Sequence, residues 1–226
     1  MGEVIGALLP LAVGIAVSPI PIIAVVLMLL APRARETGPG FLAGWTAGVV
    51  AATTVLVLIA DAIGTTAATG DPKTPVSVIV LLLGVLALVL AIRQWTDRPR
   101  HGAAADLPGW TRTIDRLTPA RAASLGFLLS ALNPKNLTMC VAAGVTVSQG
   151  RLGAGLQIVA VAAFTVLAVC TVAAPVIAYV AAPDRMRGPL DGLREWLERN
   201  SATVTSVLLL VIGVVLLGRG MGGLID

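Results

Sequence analysis

One lysine stands alone in apolar surroundings. Lys135 lies in Ser130-Ala131-Leu132-Asn133-Pro134-Lys135-Asn136-Leu137-Thr138, inside a stretch otherwise uncharged from Ala122 to Gln149. An ionisable group at midplane depth in a bilayer is costly, and where it is kept it faces a cavity, a pathway or a partner. A second irregularity, Ser18-Pro19-Ile20-Pro21, puts two prolines and a hydroxyl into the middle of the first apolar run. Proline has no amide hydrogen, so Pro19, Pro21 and Pro134 release the carbonyls of Ile15, Val17 and Ser130 from their helical bonds. In lipid those acceptors need new partners, which the side chains of Ser18, Ser130, Asn133, Asn136 and Thr138, or a bound solute and water, can supply. Each break also exposes the amide end of the following half-helix, whose partial positive charge favours anions. With Lys135 added the pocket is cationic, and a carboxylate or phosphate is its natural guest.

Two polar breaks in corresponding helices are the sequence mark of a transporter site. The predicted substrate-binding set is therefore Ser18, Pro19, Pro21, Ser130, Asn133, Pro134, Lys135, Asn136 and Thr138, between the first and fourth spans. The prolines interrupt the helices, the hydroxyls and amides orient the solute, and Lys135 binds its anionic group. The competing readings are a plain proline kink, and a lysine that caps released carbonyls or pairs with an acid. No such acid is near in sequence: Asp61 lies at the far end of the second run, and Glu3, Glu36 and Asp71 lie outside the apolar windows.

The elements that must position these residues are apolar helices. Of 226 residues 57% are hydrophobic and 12% charged, and the mean hydropathy is +0.93, a composition of an integral membrane protein. Uncharged windows run over Val4–Pro32, Thr37–Ala60, Thr74–Ile92, Ala122–Gln149 apart from Lys135, Leu152–Pro183 and Asn200–Gly218. Each reaches the roughly 18 to 20 residues that cross a hydrocarbon core as helix, and lone strands cannot satisfy their backbone there. The expected fold is all-α with six transmembrane helices. The first run has no basic residue ahead of it and is too long for a cleaved leader, so it is expected to stay in the mature protein.

A shift of 115 residues lays Ser18-Pro19-Ile20-Pro21 over Asn133-Pro134-Lys135-Asn136, and a shift of 129 lays Leu81–Val85 over Leu210–Val214. The extra residues fit an insertion at Asp184–Asn200. Three spans per half make the second half run in the opposite sense, so the predicted architecture is a three-plus-three inverted repeat. Repeat one is 1–95, a cytoplasmic linker 96–120 and repeat two 121–226. The linker holds His101, the only histidine, and one histidine is no metal site. Two amphipathic segments, Pro189–Arg199 with Leu190, Leu193, Trp196 and Leu197, and Trp110–Leu117 with Ile114, are expected to lie on the membrane surface. Gly40, Gly44 and Gly48 form a smooth helix face for close packing, inside the bundle or in a homodimer. Cys140 and Cys170 read as buried, reduced thiols.

The element Leu132-Asn133-Pro134-Lys135-Asn136-Leu137, followed by Ala142-Ala143-Gly144, together with Ser18-Pro19-Ile20-Pro21 and the glycine-rich second run, resembles the GAP family of glycolipid- or sulfolipid-addressing proteins, within the lysine-exporter (LysE) superfamily. The similarity covers essentially the whole chain, including Trp110–Pro119. It implies a multi-pass protein of the bacterial inner membrane that exports a small molecule or helps a cell-envelope glycolipid reach the surface. Lysine exporters carry asparagines after the first-helix proline, where this chain has Ile20-Pro21, which turns the reading away from amino-acid export. Membrane thiol-disulfide carriers need a cysteine in both first and fourth spans, and the first has none. Heavy-metal exporters would show His, Cys or acidic clusters. A non-transporting scaffold for a larger lipid exporter is the alternative.

No nucleophile with a base, nucleotide loop or metal cluster appears, so no catalysis, cofactor or metal is expected. The partners expected are membrane lipids and a small-molecule or lipid substrate; nucleic acid is excluded because the net charge of +4 comes from arginines beside the membrane. Those arginines set orientation. Arg33, Arg35, Arg93, Arg98, Arg100, Arg112, Arg116, Arg121, Arg185, Arg187, Arg194 and Arg199 follow the odd-numbered runs, against Lys73, Arg151 and Arg219 on the other side. Both termini are thus predicted outside the cytoplasm. Cysteine labelling is expected to find Arg112→Cys and Arg187→Cys accessible from the cytoplasm only; a cytoplasmic amino terminus would overturn the orientation.

Overall fold

The computed structural model describes residues 1–66, 73–96 and 117–225, and every regular element among them is an α-helix. In chain order these are α1 (Gly2–Ala16), α2 (Pro19–Leu30), α3 (Ala34–Thr66), α4 (Lys73–Thr96), α5 (Pro119–Ala131), α6 (Pro134–Gln149), α7 (Ala154–Ala181) and α8 (Pro183–Ile225). Trp110, Ile114, His101 and most of the expected linker lie outside the described residues.

The two shortest connections carry the most physics. Between α1 and α2, Ser18 is extended at φ −80°, ψ 113°, and the helices bend by 52°. Between α5 and α6, Asn133 is extended at φ −69°, ψ 122°. Both precede a proline, whose ring disfavours helical geometry at the preceding residue. Pro19 and Pro134 then occupy the first helical position, where a missing amide costs nothing. Proline alone is insufficient: Pro10, Pro39, Pro175 and Pro189 all sit inside continuous helices. Those four follow Leu9, Gly38, Ala174 and Gly188, whereas both breaks place Ser or Asn, helix-capping residue types, before the proline.

Four helical stretches are long and apolar enough to cross a bilayer: Ala34–Ile63, Ser77–Thr96, Ala154–Ala181 and Arg199–Gly222. The bent pair α1–α2 passes as a fifth if taken as one span. Large apolar side chains such as Leu58, Ile92, Ile158, Val166 and Ile177 are more than 60% exposed, while Ser130, Asn136 and Thr53 are buried. An apolar exterior around a partly polar interior is stable in lipid and not in water. The chain is a multi-pass membrane protein. Its expected fourth run is two helices, α5 and α6, because Asn133-Pro134 divides it. The segment Pro189–Arg199 is helical as expected, but it continues without interruption into the last span as part of α8. Its Leu190 and Leu197 are buried, whereas Trp196 and Leu193 are exposed.

Two packing seams organise the bundle. Along the first, α3 runs beside both α5 and α6: Gly40 faces Pro119, Gly44 faces Ala123, Gly48 faces Phe127 and Ser130, and further on Thr53 meets Cys140 and Leu56 meets Gly144. The glycine face is thus used inside the chain. Along the second, α4 packs on α8. The buried positions of α4 are Ser77, Val80, Gly84, Ala87 and Ala91, and those of α8 include Ser206, Leu209, Gly213, Leu216 and Gly220, each 129 residues after its counterpart.

Gly44 sets the tightest approach: a Cβ there would come 1.8 Å from the carbonyl oxygen of Ala123. Gly44→Val is therefore expected to lower stability by about 3 kcal/mol or more, the upper range for overpacking. Gly155→Ala, with nothing within 4 Å, is expected to be neutral or slightly stabilising. Thermal unfolding of the two variants in detergent checks the contrast.

Candidate substrate site at the two helix breaks

Helix α3 serves as a ruler for depth. The α5–α6 break falls between the contacts of Gly48 with Ser130 and of Thr53 with Cys140, near the middle of the apolar stretch Ala34–Ile63. The other break is placed by α7, where the Thr171 hydroxyl donates to the carbonyl of Ala16, the last residue of α1. Both interruptions therefore lie at mid-depth.

Helices α1 and α6 are antiparallel. Val4 lies against Gly150, and Gly14 against Met139, whose Sδ would stand 3.3 Å from a Cβ on that glycine. Continuing the same register, three residues past Gly14 and three before Met139 lead from Val17 to Asn136. The starts of α2 and α6 thus approach one another from opposite sides. Of the expected site residues, Ser18, Pro19, Pro21, Ser130, Lys135, Asn136 and Thr138 are buried, Asn133 is half-buried, and Pro134 is exposed.

Local bonding accounts for much of this set. Asn133 Oδ1 accepts from the Lys135 amide at 3.0 Å and so caps α6. Thr138 donates to the carbonyl of Pro134, and Ser130 to that of Phe127. Asn136 Nδ2 reaches across the break to the carbonyl of Leu129 at 3.2 Å, stitching the last turn of α5 to the first of α6. These are not the carbonyls expected from the proline positions. The one at Ile15 is taken by the Ser18 amide, and it is Ala16 that recruits a side chain from another helix. Thr171 was invisible to local reasoning, since only the tertiary fold brings it to a break 155 residues away.

The two amide ends differ. At the start of α2, Pro19 and Pro21 leave Ile20 as the only donor among the first three positions. At α6 the Lys135 amide is already bonded. Side chains therefore carry the capacity to hold a guest. Lys135 is the one charged residue buried among the described side chains, at 7% exposure, and its Nζ has no hydrogen-bond partner there. Asn136 Oδ1, fully buried, is also unpaired. The far acid is engaged elsewhere: Asp61 accepts from Gln157 Nε2 at 3.1 Å, beyond the Leu56–Gly144 contact. An unpartnered ammonium and an unpartnered amide oxygen, on consecutive residues at the start of α6, are the groups that an anion also carrying a donor would use.

The two cysteines part company. Cys140 is buried and accepts from the Thr53 hydroxyl at 3.6 Å, as expected of a packed thiol. Cys170 is exposed on α7, because a helix in lipid buries only part of its apolar circumference.

The fold defines the class: a multi-pass helical membrane protein with two interrupted helices and, among the described residues, one buried cation. More specifically, the chain belongs to the family described as Sap, sulfolipid-1-addressing protein, whose sequence profile matches residues 8–222. That match spans both breaks and agrees with the GAP-type resemblance of the sequence. Neither curated proteins nor solved structures gave a match.

Thr171→Val keeps volume and removes the donor to Ala16. It is expected to destabilise the folded protein by about 0.6 to 1.7 kcal/mol, the range for hydrogen bonds between membrane helices, and Thr171→Ser to restore most of it. Unfolding in mixed micelles by denaturing detergent measures both.

Proposed function

We propose that this protein is a transporter that exports an anionic small molecule or a cell-envelope glycolipid through a site between its first and fourth spans, α1–α2 and α5–α6. The observation that carries the reading is the Lys135 ammonium, buried at mid-depth without a partner. An uncompensated buried charge costs several kcal/mol, a sizeable share of a net stability of about 5 to 15 kcal/mol. A bundle with no use for it would lose nothing by replacing it. Family membership supports a lipid-related cargo, since the family is described by the addressing of a sulfolipid. In this reading Ser18 and Asn136 orient the cargo, Asn133 and the prolines hold the helix ends open, and Lys135 binds its anionic group.

The six-span inverted repeat belongs to the same proposal. Three features support it. The breaks fall at equivalent positions 115 residues apart, with matching backbone angles. The buried positions of α4 and α8 coincide at an offset of 129. At their crossing the relation is reciprocal: a Cβ on Gly84 would meet Leu217, and one on Gly213 would meet Leu88, each four residues beyond the other glycine. Such reciprocity is what a two-fold axis between α4 and α8 requires. The two halves can then rock about a fixed central site, giving alternating access. Both termini lie outside the cytoplasm of a bacterial inner membrane in this arrangement, and energy comes from an ion gradient or a partner.

Purified protein in liposomes is expected to move a candidate anion or translocate a labelled anionic glycolipid unaided. Lys135→Met preserves length and apolar bulk, so the folded yield should hold while transport falls at least tenfold. Wild-type transport by Lys135→Met would remove the site assignment. Failure of the wild type on amino acids, organic acids and envelope lipids, with a larger exporter copurifying, would favour the scaffold reading.

A further inference from the structure

A third buried polar atom has no partner among the described residues: Nε1 of Trp45, in α3. The residue is fully buried, and its ring stacks on Phe41 with centroids 6.2 Å apart. The backbone beneath it is fixed too, since Gly126 of α5 packs directly on Phe41 and Trp45. A buried indole nearly always finds an acceptor for its N–H, so this one calls for an explanation.

Its direction follows from the helix. Gly38 stands seven residues earlier and so shares the face of Trp45; that face meets Leu29 of α2 and Val176 of α7. Leu56, eleven residues later and again on the same face, meets Gly144 of α6. Trp45 thus lies on the stripe of α3 that looks toward α2 at one end and α6 at the other, the two half-helices whose starts form the site. In depth it sits three residues before Gly48, which faces Ser130 just ahead of the break. Lys135 lies midway between Ser130 and Cys140, which face Gly48 and Thr53, so Trp45 precedes its level by roughly 8 Å along the helix axis, a gap that a lysine side chain and an indole close together.

We infer that the Trp45 indole N–H is a third arm of the site, a neutral donor that works beside the Lys135 ammonium and the Asn136 oxygen. The inference rests on the proposed binding role of Lys135. Two donors and one acceptor converge on the guest, so its chemistry is specified: an anionic group for Lys135, a further oxygen for Trp45, and a hydroxyl that can donate to Asn136. The class is a hydroxylated anion. Trp45 is a specificity-determining residue in this account, because a neutral donor distinguishes guests by their oxygens while leaving the charge balance unchanged.

Glycerol 3-phosphate and methyl phosphate serve as probes, the second at pH 8 carrying acceptors only. Indole N–H resonances of the full-length protein in nanodiscs are followed by NMR, with Trp45 assigned by elimination through Trp95→Phe, Trp110→Phe and Trp196→Phe. Glycerol 3-phosphate is expected to shift the Trp45 resonance saturably in the wild type and not in Lys135→Met. It should bind roughly tenfold more tightly than methyl phosphate, and Trp45→Phe should weaken it by about tenfold, the worth of one hydrogen bond to a charged or strongly polar group. If binding depends on Lys135 while the Trp45 resonance stays still, the inference fails and the site survives. If neither probe binds saturably, or if Lys135→Met binds as the wild type does, the anion site and this inference fall together. The resonance test does not use Trp45→Phe, so failure of that variant to fold would not shield the inference.

Discussion

Hydrocarbon offers a peptide group nothing to bond with, and the structure is organised around the two places where this chain breaks its helices regardless. At Ser18-Pro19 and Asn133-Pro134 the proline ring disfavours a helical conformation at the preceding residue, and with Ser or Asn in that place the helix is interrupted at mid-depth. Each loose end must then be met by protein. Ser18 and Asn133 supply local bonds, Asn136 spans its own break, and Thr171 arrives from α7. The requirement reaches outward, because a helix must lie against each break to exclude lipid. On one side α3 fills that role along α5 and into α6, leaving Leu132 and Pro134 of that break exposed. On the other α7 does so for α1.

Close approach is what makes this shielding possible. Gly40, Gly44 and Gly48 let the backbone of α3 come within contact distance of α5, and dispersion and weak backbone contacts then replace the hydrophobic drive that is absent in lipid. Beside that seam lies an open, mainly apolar groove of about 420 Å³, lined by Gly44, Ala123, Ser124, Phe127 and Leu128, which offers a guest few polar atoms. Polar atoms without partners collect instead on the other face of α3 and at the start of α6, where the half-helices begin.

Much of this was legible from the residues. Hydropathy marked the apolar runs, and the prolines of Ser18-Pro19-Ile20-Pro21 and Asn133-Pro134 marked where two of them break, because the steric rule involved is local. The glycine face likewise announced close packing, though not its partner. What the sequence withheld depends on tertiary neighbours. Which carbonyls would be capped, and by what, could not be read: Thr171 is one of several hydroxyls in apolar helices, and nothing nearby distinguishes it. Trp45 is set apart only by its burial and unsatisfied N–H, which no local pattern announces. The continuity of α8 was hidden because a proline seventh in a helix leaves the carbonyl four residues back, at Arg185, without its bond, yet the helix runs through it. Cys170 fell on the outer surface because apolar composition does not reveal which side of a membrane helix faces lipid.

The crossing of α4 and α8 has a mechanical consequence. Where Gly84 and Gly213 meet, almost no side chain separates the two backbones. Gly220 and Leu81 come equally close, so the two helices meet along a seam and tilt together as one stiff lever. The long amino-terminal extension of α8, Pro183–Asn200, is the handle of such a lever. A tilt imposed on that segment at the membrane surface would emerge, reversed in direction, at the opposite end of the helix.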